Sequence, residues 1–339
     1  LLNSLSVQIA DPSQVGEARR TAITIASSLG FDETRQGALA IVITELANNI
    51  LKHATRGELI LRTLELSGVS GMEIMAVDNG AGMSNISQCM RDGYSTAGTP
   101  GHGLGSISRL SDYFEISSTP GSGTVLLVYM WAKSLERVES AAMRYGVINR
   151  AKPGQDICGD SWSVEQRGSR YLFFVADGLG HGPEAATASR EAVRAFRKHL
   201  QGTPKEMLAA VHGAISGTRG VAGAIAELDL NKQEICFTGI GNIAGSVSTP
   251  TRSLSFASHN GILGHQARRF QEFTYPWTPD STLVLHSDGL SNRWQLERYP
   301  GITSKSPGII AGVLYRDFRR DNDDATVLIA QMTREASIA

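Results

Sequence analysis

Apolar residues recur at helical spacing over 14–30: Val15, Ala18, Ala22, Ile25, Ala26 and Leu29 share one face, and Gly30 supplies the stop. A second helix is expected over 33–53, with Leu39, Ile43, Leu46 and Ile50 as its core stripe. The period then changes to that of strands at 58–66 and 72–78. A glycine-rich stretch runs from Asp78 to Gly105. It is followed by a helix near 106–112 and strands near 113–117 and 124–131. This pattern predicts an α/β sandwich with helices on one face of a mixed sheet.

Residues 133–141 (Lys-Ser-Leu-Glu-Arg-Val-Glu-Ser-Ala) are polar and charged, as a linker would be. Beyond them the pattern restarts with strands at 145–149, 161–165 and 171–176. Helices at 183–200 and 205–215 follow, then strands at 222–228, 234–239, 243–248, 282–286 and 325–331. Strand runs around a central helix pair predict a β-sandwich flanked by helices. The expected class is α+β with two domains, 1–132 and 142–335. The two halves share no motif and no repeat.

Composition narrows the function classes. A chain of 339 residues with 41% hydrophobic content has enough apolar surface for two packed cores. Its 32 basic and 33 acidic residues leave a formal net charge of -1, which gives no footprint for nucleic acid. A protein or small-molecule partner is the better default. The longest apolar run, 124–132, is too short to span a bilayer, and no basic leader precedes an apolar segment. No membrane association and a cytoplasmic location are expected. Cys89, Cys158 and Cys236 are odd in number and far apart, so neither a disulfide framework nor a zinc site fits; buried free thiols are expected.

Two constellations carry chemistry. In the first half no P-loop motif is present. Instead Glu45 and Asn49 stand four apart on one helical face, where a carboxylate and an amide can hold a hydroxyl and a Mg²⁺. The strand ending at Asp78 leads into Asn79-Gly80-Ala81-Gly82, an acceptor followed by two glycines that would let backbone approach a ring. Gly101-His102-Gly103-Leu104-Gly105 then opens a helix, which suits phosphate, and Gly121-Ser122-Gly123-Thr124 closes the set. In the second half, aspartates sit at element ends: Asp160 after Gly159, Asp177 before Gly178, Asp288 before Gly289, and Asp323-Asp324-Ala325-Thr326. Each alone is an ordinary turn. Together they offer hard oxygen ligands for Mg²⁺ or Mn²⁺, and two such ions can clamp a phosphoryl group.

The first set resembles the GHKL (Bergerat) ATPase family, and within it the RsbT-like serine kinase and anti-sigma branch. The stretches Asp92-Gly93-Tyr94-Ser95-Thr96 and Arg109 to Ile116 add to that resemblance, which covers roughly 1–132. It implies Mg-ATP as cofactor, Glu45 as general base, Asn49 as Mg²⁺ ligand and Asp78 on adenine. Gly80, Gly82, Gly101, Gly103, Gly105 and Thr124 would shape the nucleotide site. The second set resembles the PPM serine/threonine phosphatases of the SpoIIE/RsbX branch. The motifs Gly239-x-Gly241-Asn242 and Asn260-Gly261-x-Leu263-Gly264 contribute to the match. That resemblance implies two Mn²⁺ or Mg²⁺ ions held by Asp160, Asp177, the Gly178 carbonyl, Asp288 and Asp323, with Asp324 outside the set. No clear counterpart of the phosphate-gripping arginine of larger PPM enzymes is visible; Arg150 or Lys152 is open to that role or to a solvated one.

Together the resemblances imply a bifunctional switch. One domain would phosphorylate Ser/Thr on a STAS-domain anti-sigma antagonist or stressosome-like protein. The other would remove phosphate from serine or threonine. A sigma factor or downstream regulator is a further implied partner. A homodimer is implied by relatives of the first half, although no interface is legible. An alternative stays open, in which the first half is a non-catalytic anti-sigma, partner-binding or nucleotide-sensing module that regulates the phosphatase.

Overall fold

The computed structural model describes residues 4–90, 103–135, 141–249 and 251–333. The chain divides into two compact units, 1–140 and 141–339. In the first, the order is β1 (Leu5–Ile9), α1 (Pro12–Ser28), α2 (Glu33–His53), β2 (Gly57–Leu66) and β3 (Val69–Asp78). Then come the short α3 (Ile86–Cys89), α4 (Gly103–Leu110), β4 (Tyr113–Thr119) and β5 (Gly123–Trp131). Local chemistry sets the helix starts. Asp11 and Gln14 form a reciprocal capping box ahead of α1, with Pro12 in the first turn. Asp32 accepts from the Arg35 N–H at 2.7 Å to cap α2.

The five strands form one sheet in the order β1-β2-β3-β5-β4. Every pairing in it is antiparallel, which corrects the expected mixed sheet. The connection from β3 through α3 and α4 passes over β5 to reach β4, so β3 and β4 run parallel to each other with β5 paired antiparallel between them. The core forms between α1, α2 and α4 and one face of this sheet. Leu39, Ile43, Leu46 and Ile50 of α2 meet Leu59 and Leu61 of β2, Ile74 of β3 and Leu126 and Val128 of β5.

The second unit opens with β6 (Met143–Arg150), β7 (Asp160–Arg167), β8 (Arg170–Gly178), α5 (Pro183–Lys198) and α6 (Pro204–Ala214). It continues with β9 (Val221–Asp229), β10 (Glu234–Ile240), β11 (Ala244–Ser248), β12 (Ser253–Ser255), β13 (Phe273–Pro276) and β14 (Thr282–His286). The last elements are α7 (Pro307–Phe318) and β15 (Ala325–Met332). Two five-stranded antiparallel sheets, β13-β10-β9-β8-β7 and β12-β11-β14-β15-β6, face each other. Tyr171, Phe173 and Val175 of β8 point between them with Phe237, Leu285 and Leu328. Leu172, Phe174 and Ala176 of the same strand point outward under α5 and α6. Both faces of β8 are covered, which is why it reads as a continuous apolar run. Helix α7 packs on β6 and β15 of the other sheet. It is buried along nearly its whole length and has no polar face, so no amphipathic stripe marked it in the sequence. The three cysteines are free but half-buried rather than fully buried.

The α7–β6 contact depends on a close backbone approach. A methyl group added at Gly146 would overlap the backbone of Pro307 and Gly308. Gly146→Ala is therefore expected to lower stability by about 1–3 kcal/mol, an overpacking penalty. Gly213→Ala, in α6 with open space around the added methyl, is expected to be neutral or to gain up to ~1 kcal/mol. Urea unfolding followed by tryptophan fluorescence checks both. Equal behaviour of the two variants contradicts the packing assignment.

Candidate functional site

In the first unit, α2 places Glu45 and Asn49, both half-buried, one turn apart on the face next to Gly103. A methyl group at Gly103 would lie 3.0 Å from Glu45 Oε2 and 3.5 Å from Asn49 Oδ1. The start of α4 therefore lies against this pair. Gly105 is buried within α4. Asp78 ends β3, and its Oδ1 accepts from the Gly80 N–H at 2.8 Å and the Thr124 N–H at 3.3 Å. Thr124 Oγ1 shares a hydrogen bond with Ser118 Oγ at 2.9 Å. Gly101 and Asp92–Thr96 lie outside the described residues.

The glycines after Asp78 are also required by packing. A side chain at Gly80 would strike the His53 carbonyl. Gly82 has φ of +67°, and a side chain there would strike the Thr119 carbonyl. These residues let the turn after β3 pack against the ends of α2 and β4, and the turn they form fixes the Asp78 carboxylate.

In the second unit the strand register does most of the placing. Asp160 and Asp177 are directly opposed on β7 and β8, so both carboxyls leave the same face of the sheet. Gly178 follows at the end of β8, packed against the backbone of Ala185 in α5. Asp288 follows β14, and Asp323 and Asp324 precede β15, the strand beside it. Asp160 is 3% exposed. Its Oδ2 accepts from Ser287 Oγ at 2.7 Å and Thr326 Oγ1 at 2.8 Å. Asn149 Nδ2 donates to Thr326 Oγ1 at 2.9 Å, so the hydroxyls are themselves oriented. Asp160 Oδ1 is buried without a hydrogen-bond donor. Asn242 donates to Asp288 Oδ2 at 2.7 Å. Asp324 accepts from the Lys152 backbone N–H at 2.8 Å, so it braces the 150–160 connection.

Burial and mutual repulsion raise these carboxyls together. Asp177 is pushed far above the usual carboxylate range by burial, then by Asp160, Asp288 and Asp323. Asp160 is raised chiefly by burial, against the hydroxyl hydrogen bonds that favour its charged form. Asp288 is raised by burial and by Asp323, with Arg320 opposing. Asp177 thus feels the charges of Asp160, Asp288 and Asp323. No group of three or more His, Cys, Asp or Glu among the described residues is set at metal-holding distances. The donor chemistry nevertheless fits a hard divalent cation: an orphaned buried carboxylate oxygen faces a crowd of carboxyls that cannot all ionise unaided.

Two family models match the chain. The stage II sporulation protein E (SpoIIE) model matches residues 167–333, and the histidine kinase-like ATPase domain model matches 9–129. Serine/threonine-protein kinase RsbT of Bacillus subtilis (strain 168) is 34% identical over 127 residues, covering 38% of this chain and 96% of that protein. The chain is an RsbT-family domain joined to a domain that the SpoIIE model matches. Phosphoserine phosphatase RsbX of the same organism is 22% identical to it over 186 residues, covering 54% of the chain and 91% of RsbX. A solved chain from work on the bacterial stressosome, a modular system adapted to control secondary messenger signaling, matches in fold. It has a TM-score of 0.52 and 23% identity, over 56% of this chain and all of that one. Among the described residues of the RsbT-family and SpoIIE-type domains, no helix is long and apolar enough to cross a membrane.

Sequence reasoning did not single out Asn149, Ser287 and Thr326 as carboxylate partners, and it used Asn242 only as part of a motif. Thr326 stands in the Asp-Asp-Ala-Thr run and Ser287 directly precedes Asp288-Gly289, which are the local signals for this group.

A pH dependence follows from the raised carboxyls. A carboxyl whose folded pKa lies above its unfolded value holds protons that the unfolded chain releases. Its stabilising contribution is complete below about pH 4 and is lost as pH rises through the folded value. Melting temperatures in EDTA are therefore expected to fall from the mildly acidic to the mildly alkaline range. The gain on adding MnCl₂ is expected to widen over the same range, since ligation displaces protons. Asp177→Asn is expected to flatten both trends. A gain independent of pH in the wild-type protein contradicts the site.

Proposed function

We propose that this chain is a bifunctional partner-switching regulator that writes and erases phosphate on Ser/Thr of a STAS-domain antagonist or stressosome-like protein. The observation that carries the erasing half is the opposed pair Asp160 and Asp177, ringed by Asp288 and Asp323. The similarity to RsbX and SpoIIE supports it. Asp160, Asp177, the Gly178 carbonyl, Asp288 and Asp323 would hold two Mn²⁺ or Mg²⁺ ions. Bound there, such ions neutralise phosphoryl oxygens and lower the pKa of water. Ser287 and Thr326 keep Asp160 aimed, and Asn242 does the same for Asp288. In the hydrolysis, a water oxygen bonds to phosphorus, the phosphorus–oxygen ester bond breaks, and the serine or threonine oxygen leaves and takes up a proton.

The writing half rests on Glu45, Asn49 and Gly103 meeting at the start of α4, and on the 34% identity to the protein kinase RsbT. Glu45 takes the proton of the attacking hydroxyl as general base, and Asn49 supplies a Mg²⁺ ligand. Asp78, held by the Gly80 and Thr124 N–H groups, accepts from the adenine amino group. Gly80, Gly82, Gly101, Gly103 and Gly105 shape the loops around the nucleotide.

The test uses radiolabelled ATP and a purified STAS-domain protein as substrate. Label is expected to move to the STAS protein with Mg²⁺ and to be released with Mn²⁺. Glu45→Ala is expected to slow transfer by about 10²-fold or more, the usual scale for a lost general base. Asp177→Asn is expected to abolish release alone. Transfer unchanged in Glu45→Ala sinks the kinase half, and release unchanged in Asp177→Asn sinks the phosphatase half.

A further inference from the structure

The carboxyl cluster of the SpoIIE-type domain brings negative charge to a site proposed to receive a phosphate dianion. A cationic side chain at its edge is therefore expected on electrostatic grounds. Arg320 is placed for that role by backbone pairing. Its N–H donates to the Gly289 carbonyl at 2.7 Å, and the Ser291 N–H donates to the Phe318 carbonyl at 2.9 Å. A bridge pairs Leu290 with Arg319 between them. Residues 318–320 thus run antiparallel to 289–291, with Arg320 opposite the residue that follows Asp288. The chain then turns through Asp321 and Asn322 into Asp323. Arg320 stands between two proposed ligands of the site.

Its neighbours are committed elsewhere. Arg316 donates from Nε and Nη2 to Asp317 at 2.7 and 2.9 Å. Arg319 donates to the Tyr315 hydroxyl at 3.0 Å and lies 5.3 Å over that ring. Arg320 is exposed and makes no side-chain hydrogen bond or ion pair among the described residues. Its charge nevertheless reaches Asp288 and the buried His286. The two basic residues singled out in the sequence are placed differently. The Arg150 charge falls on Cys158, and the Lys152 backbone is tied to Asp324.

We propose that Arg320 grips the phosphate of the substrate, its planar guanidinium donating to two phosphoryl oxygens beside Asp288. This inference rests on the phosphatase reading above. A lysine in its place keeps the charge but loses the two-pronged geometry.

The test uses the full chain loaded with Mn²⁺, inorganic phosphate as probe in calorimetry, and a phosphoserine peptide in steady-state kinetics. Arg320→Gln is expected to weaken phosphate binding by about tenfold or more, the scale of a lost charge-assisted contact. KM is expected to rise with it, and Arg320→Lys is expected to recover part of the loss. Mn²⁺ binding is expected to persist in both variants. Unchanged phosphate binding with tighter Mn²⁺ binding in Arg320→Gln would mean that Arg320 only offsets the Asp288 charge, which overturns the assignment alone. A wild-type protein that takes up no Mn²⁺ and hydrolyses no peptide overturns the phosphatase reading, and this inference with it.

Discussion

Two carboxyl groups opposed on neighbouring antiparallel strands, with two more within reach of their charge, repel each other, and burial makes the repulsion worse. Asp160 and Asp177 are held in that position by the register of β7 against β8. The rest of the SpoIIE-type domain is organised around keeping them there. The apolar runs of β8 and β9, covered on both faces, leave the strands no other register without turning core residues outward. The Ser287 and Thr326 hydroxyls saturate one oxygen of Asp160 and leave the other without a donor. A fold built only for stability would have placed apolar residues at these positions. Their cost is a physical argument for a ligand that relieves it.

The RsbT-family domain meets the opposite problem. Its candidate groups are few and partly exposed, so they must be aimed rather than restrained. The aiming is done by backbone. The turn after β3 brings the Gly80 and Thr124 N–H groups onto Asp78, and the closeness of α4 to α2 brings Gly103 against Glu45 and Asn49. Site geometry here depends on glycines that have no side chain to obstruct backbone–backbone packing. A substitution far from any reacting atom can therefore disturb the site as much as one within it.

Legibility in the sequence followed the same physics. Helix α2 was readable to its ends because it has a clear apolar stripe, the Asp32 cap and a polar outer face. Strand β8 was readable as a short β-branched and aromatic run. Helix α7 was not, because a segment buried all round carries no period. The short edge strands β1, β12 and β13 present too few residues for alternation to show. The sheet of the first unit was expected to be mixed, since an apolar pattern reports which face is buried and not which way the neighbour runs. The candidate carboxylates stood out because Asp at a strand end before Gly is an identifiable signal. Asn149, Ser287 and Thr326 are residue types common on any surface, and only the fold shows that they converge on Asp160.

A chain that writes and erases the same mark faces a thermodynamic constraint. Transfer from ATP followed by hydrolysis on one hydroxyl sums to ATP plus water giving ADP plus phosphate, with the partner protein unchanged. A useful switch must therefore separate the two steps, by substrate, by time or by cofactor. The two proposed sites differ in a way that bears on this choice. In the first, the metal would arrive with the nucleotide, since a single amide on α2 is a weak hold for Mg²⁺ by itself. In the second, carboxyls would take ions from solution, and at Asp160, Asp177 and Asp288 they would do so in competition with protons that burial makes hard to remove. Writing would then track the ATP supply, and erasing would track free divalent cation and pH. Opposed activities on one chain become a switch when they answer to different inputs, and the two proposed sites would differ in that way.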